Sequence, residues 1–132
     1  MPADSYDPRK VNLFAKNHKA RGWAEGTFIS GERNTDKVSL NVGSKGEVTK
    51  VINADGSGVV ELTFKHNSAS LSYFKRLYAT SEWFPVTAND MGDGSRMGGT
   101  QAVVASMGNY ERGDDVSDKT ITLLLADYDE FY

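Results

Sequence analysis

Two histidines, His18 and His66, are the only imidazoles in this 132-residue sequence, and it holds no cysteine. A zinc centre needs several such ligands converging at short spacing, and neither histidine has a second ligand at a helical or strand spacing. The stretch Asn53-Ala54-Asp55-Gly56-Ser57-Gly58 imitates the opening of a calcium-binding EF-hand loop, glycine at its sixth position included. At the twelfth position, where a bidentate Glu must close the shell, stands Phe64, so a hairpin turn is the better reading. Residues 92–99 are rich in glycine but lead into a strand and lack the Lys-Ser/Thr pair that cradles phosphate. There is no G-x-S-x-G elbow and no thiol nucleophile, and Asp114 and Asp115 sit in a charged turn where solvation accounts for them. Carboxylates paired across strands stay invisible in a sequence. The expectation is a chain that is not an enzyme, with no catalytic residue, no metal ligand and no cofactor.

The elements that would position any site are mostly strands, because apolar residues recur with period two between segments rich in Gly, Asn, Asp and Ser. Strands are expected over residues 10–16, 23–33, 37–42, 47–52, 59–65, 83–87, 101–108 and 119–126. The strands at 37–42, 47–52 and 59–65 read as a three-stranded meander, with Val38, Leu40, Val60, Leu62, Ile121 and Leu123 as core. Pro85 marks its strand as an edge or a strand end. Leu71, Phe74, Leu77 and Tyr78 recur at helical spacing after a capping Asn67 or Ser68, which predicts one helix of about three turns flanking the sheet. Residues 89–99 read as a loop, and 109–117 as the linker of a last hairpin.

Composition bounds the function. The sequence is 39% hydrophobic and 25% charged, with a net charge of -3, and fits one small globular domain. No basic block exceeds Lys75-Arg76, so no electrostatic nucleic-acid footprint is visible. No apolar run approaches the roughly 18 residues of a membrane helix, and residues 1–7 lack the basic and apolar regions of a secretory leader, so neither membrane nor secretion by signal is expected. Strand edges that the chain does not cover allow two readings. Either neighbouring subunits pair with them, or a monomer blunts them with Lys, Pro and bulges.

The order of several motifs resembles the tail tube proteins of bacteriophages, in particular the small-domain group of contractile-tailed phages. The similar residues are Trp23-Ala24-Glu25-Gly26-Thr27-Phe28-Ile29-Ser30-Gly31-Glu32-Arg33-Asn34-Thr35-Asp36, then Val42-Gly43-Ser44-Lys45-Gly46-Glu47-Val48-Thr49, then Gly58-Val59-Val60-Glu61-Leu62-Thr63-Phe64. They correspond to a strand ending in Ile-Ser-x-Glu-Arg-Asn, a Val-Gly-x-x-Gly-Glu-Val hairpin and a Gly-x-Val strand leading into a helix. The likeness extends over most of residues 10–127; the glycine-heavy loop at 91–99 and the aromatic C-terminal tail depart from it.

The resemblance implies a mainly β, sandwich- or barrel-like tail tube fold with one flanking α-helix. It implies a single tail-tube-like domain over 1–132, with an N-terminal arm at 1–9, while the acidic, aromatic residues 127–132 read by themselves as a C-terminal tail that extends beyond the fold. Six copies would form a ring, and rings would stack into the tube through which a genome is ejected. Lys37, Ser39, Asn41, Lys45, Glu47, Thr49, Lys50 and Glu61 become candidates for the lumen or the subunit interface. Asn34, Thr35, Asp36, Asp93 and Arg96 become candidates for ring-to-ring contacts. Partners implied are copies of the chain itself, a sheath, a tape-measure protein, a baseplate or tail terminator, and DNA only in transit. The place implied is a virion tail assembled in the host bacterial cytoplasm. The alternatives are the tube of a type VI secretion or other contractile injection system, or a small β-fold ligand-binding domain or enzyme with a concave polar pocket.

Overall fold

The computed structural model describes residues 6–115 and 117–132. The first five residues of the expected N-terminal arm, and residue 116 of the linker, lie outside the described residues. In chain order the elements are β1 (Val11–Ala15), β2 (His18–Lys19), β3 (Ile29–Arg33), β4 (Val38–Val42), β5 (Val48–Ile52), β6 (Gly58–Lys65), α1 (Ser70–Thr80), β7 (Phe84–Asp90), β8 (Arg96–Ser106), β9 (Asp118–Leu125) and β10 (Asp129–Phe131). The fold is mainly β with one flanking helix, as the periodicity requires.

All the described strands except β4 and β5 join one antiparallel sheet in the order β2-β1-β7-β8-β9-β6-β3, with β10 added alongside β8. The alternating residues Val60, Leu62 and Phe64 of β6 and Ile121, Leu123 and Leu125 of β9 are buried, because period-two patterning puts each set on one face. They share one core with Leu13 and Ala15 of β1 and with Phe84, Val86 and Ala88 of β7, so strands from both ends of the sheet enclose the same interior. From α1 the side chains of Phe74 and Leu77 enter that core. Each such Leu or Phe contributes roughly 1.5–3 kcal/mol through burial. Ser68, just before the boundary residue Ala69, accepts the Ser70 amide at 3.2 Å, and Ser81 ends the helix in the left-handed region with its amide on Leu77.

Several expectations change. The meander is not formed: β4 and β5 pair only with each other, while β6 pairs with β3 and β9. Val38 and Leu40 are therefore exposed and not core, although Val60, Leu62, Ile121 and Leu123 are core. The strand expected over 23–33 is confined to β3. Thr63 receives the Ala24 amide on its carbonyl and gives its own amide to Phe28, so residues between them loop out, helped by a positive φ at Gly26. The segment 89–99 is mostly strand, because β7 runs to Asp90 and β8 begins at Arg96. Gly98 sits in β8 with φ +144, where a Cβ would lie 2.1 Å from the Val86 carbonyl oxygen, so this glycine records close strand approach. Pro85 lies near the start of β7, which is an interior strand, at a register shift where no ladder amide is missed.

The tail does not extend beyond the fold. Residues of β10 pair Asp129 with Gly98, Glu130 with Met97 and Phe131 with Arg96, on the same side of β8 that β9 occupies higher up. Between β9 and β10 the chain kinks at Asp127, and Tyr128 drops into the core against Gly31 and Gly58. A Cβ at Gly58 would meet Tyr128 at 2.5 Å.

Candidate assembly surface

Strands β4 and β5 form a free-standing ribbon. Its register sets Val38 opposite Ile52, Leu40 opposite Lys50 and Val42 opposite Val48, so these six side chains share one face. Ser39, Asn41, Thr49 and Val51 make the other face. One side is thus apolar apart from Lys50 and the other is largely polar, yet every residue in both strands is exposed, Leu40 at 67% and Ile52 at 64%. Two strands alone are marginally stable in water, and apolar side chains of this size contribute only when covered.

The root of the ribbon is fixed by polar bonds. Arg33 donates to the carbonyls of Thr35 and Asp55, Asn34 donates to the Ser57 hydroxyl, and Thr35 donates to the Asp55 carboxylate. Donation from the Ser57 hydroxyl and amide, then from Thr35, holds the Asp55 carboxyl below the usual aspartate range. The EF-hand-like stretch is therefore a turn whose Asp55 oxygens are occupied within the chain. At the tip the Gly43 amide bonds the Glu47 carbonyl, and Gly46 takes a positive φ of 87°.

The structure distributes the residues that sequence reading singles out. Ser39, Asn41 and Thr49 lie together on the polar face of the ribbon, while Lys50 lies on the apolar face. Lys37 is at the root, where its carbonyl accepts the Asn53 amide, and Lys45 and Glu47 are in the tip. Glu61 is on the outer surface of the main sheet, between Ser30 and Thr122. Asn34 and Thr35 belong to the root network beside Asp36, whereas Asp93 and Arg96 stand at the β7–β8 turn.

A trough runs along the outer edge of β3. One hollow of about 270 Å³ is bounded by Val11, Ile29, Asn89, Asp90, Tyr128 and Glu130, and a second of about 400 Å³ continues it past Pro8 and Phe28, with Tyr6, Val11 and Ile29 common to both. Hydroxyls of Tyr128 and Tyr132 both donate to the Glu130 carboxylate, which lowers its pKa and keeps it ionised. Burial, then the bond to Glu130, drives the Tyr128 phenol pKa up, so it stays a donor. The Asn89 side-chain oxygen is buried with no donor.

On the helix side, His18 Nε2 lies 2.8 Å from the buried Ser70 hydroxyl and its ring stacks on Tyr73 at 4.3 Å. The Arg21 amide also donates to Ser70, and Tyr73 donates to the Ala15 carbonyl, so these groups lock β2 to α1. His66 lies in a separate polar cleft with Glu25 and Asp118. No cluster of metal-ligating side chains occurs among the described residues.

Known structures give this arrangement a context. One match is to a chain of the sheath-tube complex of an extracellular contractile injection system, PVC, in the extended state. It has a TM-score of 0.65 and 14% identity, over 96% of this chain and 91% of that one. The fold is shared with a component of a contractile sheath-tube assembly. The sheath/tube terminator of the same system matches at TM-score 0.65 and 14% identity over 97% of both chains. The tube-terminating cap of the anti-feeding prophage matches at 0.62 and 12%, over 99% of this chain and 95% of that chain. No family model and no curated protein matches the sequence.

Sequence reading missed the anchored tail and the exposure of the ribbon's apolar face. The spacing of Val38, Leu40 and Val42 signals a strand with one apolar face, and only tertiary structure tells whether that face is inside. For the tail, Tyr128, Glu130 and Tyr132 alternate with Asp127, Asp129 and Phe131, a short period-two signal within acidic surroundings.

Proposed function

We propose that this chain is a structural subunit of a tail tube. Copies of it assemble as stacked hexameric rings that enclose a conduit for genome ejection. The observation that carries the reading is the free-standing ribbon with an uncovered apolar face. It sits on a fold that spans nearly the whole of a chain of a sheath-tube complex and of a sheath/tube terminator. A face of that kind gains stability only against another surface, and subunits stacked in a tube supply one.

The polar side of the ribbon, with Ser39, Asn41 and Thr49, is the surface offered to the lumen. The mild net charge of -3 suits passage of DNA without adhesion. The subunit works without catalysis or cofactor, inside a virion tail assembled in the bacterial cytoplasm, in company with sheath, tape-measure and baseplate or terminator proteins. A second reading is the tube of a contractile injection system, favoured by the extracellular contractile injection system among the structural matches. Neighbouring genes separate the two, since capsid and terminase genes accompany a phage and a sheath-recycling ATPase accompanies secretion.

Negative-stain microscopy of the purified chain tests the common core of both readings. Rings or tubes are the expected result, and a species that stays monomeric at high concentration overturns it.

A further inference from the structure

We infer that the polar ring at the root of the ribbon is a latch that fixes the ribbon's stance on the main sheet before any partner arrives, with Asp55 as the residue that joins the two legs. The role of that stance in assembly rests on the self-assembling reading above.

Nothing else among the described residues sets the stance. Strands β4 and β5 pair with no strand of the main sheet, and every residue in them is exposed, so no side chain of theirs is packed into the body. A hairpin carried on two chain legs, with no buried contacts of its own, swings about them unless the legs are fastened together.

The legs here are residues 34–37 and 53–57. Two backbone bonds join them, from the Asn34 amide to the Ser57 carbonyl at 3.0 Å and from the Asn53 amide to the Lys37 carbonyl at 2.8 Å. Side chains fill the interval between. On its own leg Asp55 Oδ1 accepts the Ser57 amide at 2.9 Å and the Ser57 hydroxyl at 2.7 Å, while Oδ2 accepts the Thr35 hydroxyl of the other leg at 3.1 Å. A turn needs only the bonds to Ser57. The bond to Thr35 does something further, since it ties leg to leg. Arg33, at the end of β3, grips one carbonyl on each side, Thr35 at 2.9 Å and Asp55 at 2.8 Å. The Ser57 hydroxyl accepts the Asn34 side-chain amide at 3.0 Å, which closes the ring. From the body the Tyr128 amide donates to the Gly56 carbonyl at 3.0 Å, so the returning leg is also held by the anchored tail.

Each exposed bond is weak alone, but bonds that close an already ordered ring reinforce one another. A ribbon held in place beforehand loses less freedom when a partner covers it.

Spin labels read the stance directly. The chain has no cysteine, so Ser44→Cys at the ribbon tip and Ser72→Cys on α1, both exposed, take one label each. In protein too dilute to self-associate, the parent should give one narrow distance peak, and Asp55→Ala or Thr35→Val should lose it to a broad distribution. Asp55→Asn and Thr35→Ser should keep the peak, because the asparagine oxygen still accepts from Ser57 while its amide donates to the Thr35 oxygen, and serine retains the hydroxyl. In unlabelled chains, sedimentation velocity should show self-association weakened by about tenfold in Asp55→Ala and restored in Asp55→Asn, with monomer melting temperatures alike. Equally narrow peaks in all four variants overturn the latch, even where association weakens, since Asp55 would then be a direct contact. A broadened ribbon that associates as the parent does overturns the latch's part in assembly. A parent chain that never assembles overturns the tube reading, and the peak widths still decide the latch.

Discussion

The carboxylate of Asp127 accepts the backbone amides of both Thr100 and Gln101, each at 3.0 Å, and so carries β8 across the gap between β9 and β10. One side chain replaces the acceptors that a continuous strand would present. Gly99 makes room for it, since a Cβ there would lie 2.6 Å from the Asp127 carbonyl oxygen.

Asp127→Ala should lower stability by about 1–2 kcal/mol in urea titration, because two strand amides lose a charged acceptor and must turn to water. The effect is pH-dependent. Burial opposes ionisation, but the Thr100 hydroxyl and the Thr100 and Gln101 amides outweigh it and hold the Asp127 pKa below its usual 3.8. Its contribution is complete above that value and fades as pH falls through the lower folded one. The difference between parent and variant should therefore shrink only in strong acid.

Gly98→Ala should destabilise severely, by about 3 kcal/mol or more, since the added carbon meets the backbone of Val86 at 2.1 Å and φ is unsuited to a side chain. Gly94→Ala has open space around it and carries only the cost of a positive φ of 80°. Thermal melts of the two variants should separate clearly, and similar melts would mean that β7 and β8 are not packed this closely.

Leu62→Asp or Leu123→Asp should prevent folding, because either charge would enter a closed core without a partner. Leu40→Asp should leave the melting temperature of the monomer within a few degrees, since Leu40 is 67% exposed, and should reduce self-association. Circular dichroism reads the first effect and light scattering the second.

His18 gives a separate pH signature. Burial, followed by the charges of Arg21 and Arg76, lowers its pKa below 6.5. The unfolded chain then takes up this proton first, so stability falls as pH drops below about 6.5 and levels off once the folded protein is protonated as well. His18→Gln should flatten the melting temperature between pH 7 and pH 5. A slope that survives this substitution places the titration elsewhere.

Much of the fold was legible because it rests on local patterning. Val60, Leu62 and Phe64, or Ile121, Leu123 and Leu125, alternate so regularly that strand, face and burial follow together. Val38 and Leu40 show the limit, for the same alternation marks a face without saying whether this chain covers it. Glycine misled in the opposite sense. Gly98 and Gly99 look like a loop in sequence, yet they mark where strand backbones and the Asp127 kink press too close for a side chain. The tail was obscured by its acidity, because Tyr128 is the one residue of that segment in the core. Of the candidate site, the polar ribbon residues were readable by alternation, whereas the trough joins β1, β3, β7 and the tail and exists only after folding.

The bare apolar face of the ribbon also implies a temperature signature. Covering hydrocarbon near room temperature is favoured by the entropy of released water, and that advantage weakens on cooling. Association that covers Leu40, Val42 and Ile52, which are exposed in the single chain, would carry a negative heat-capacity change and would be weaker near freezing than at growth temperature. An assembly closed over these side chains would shed subunits on ice that it keeps when warm.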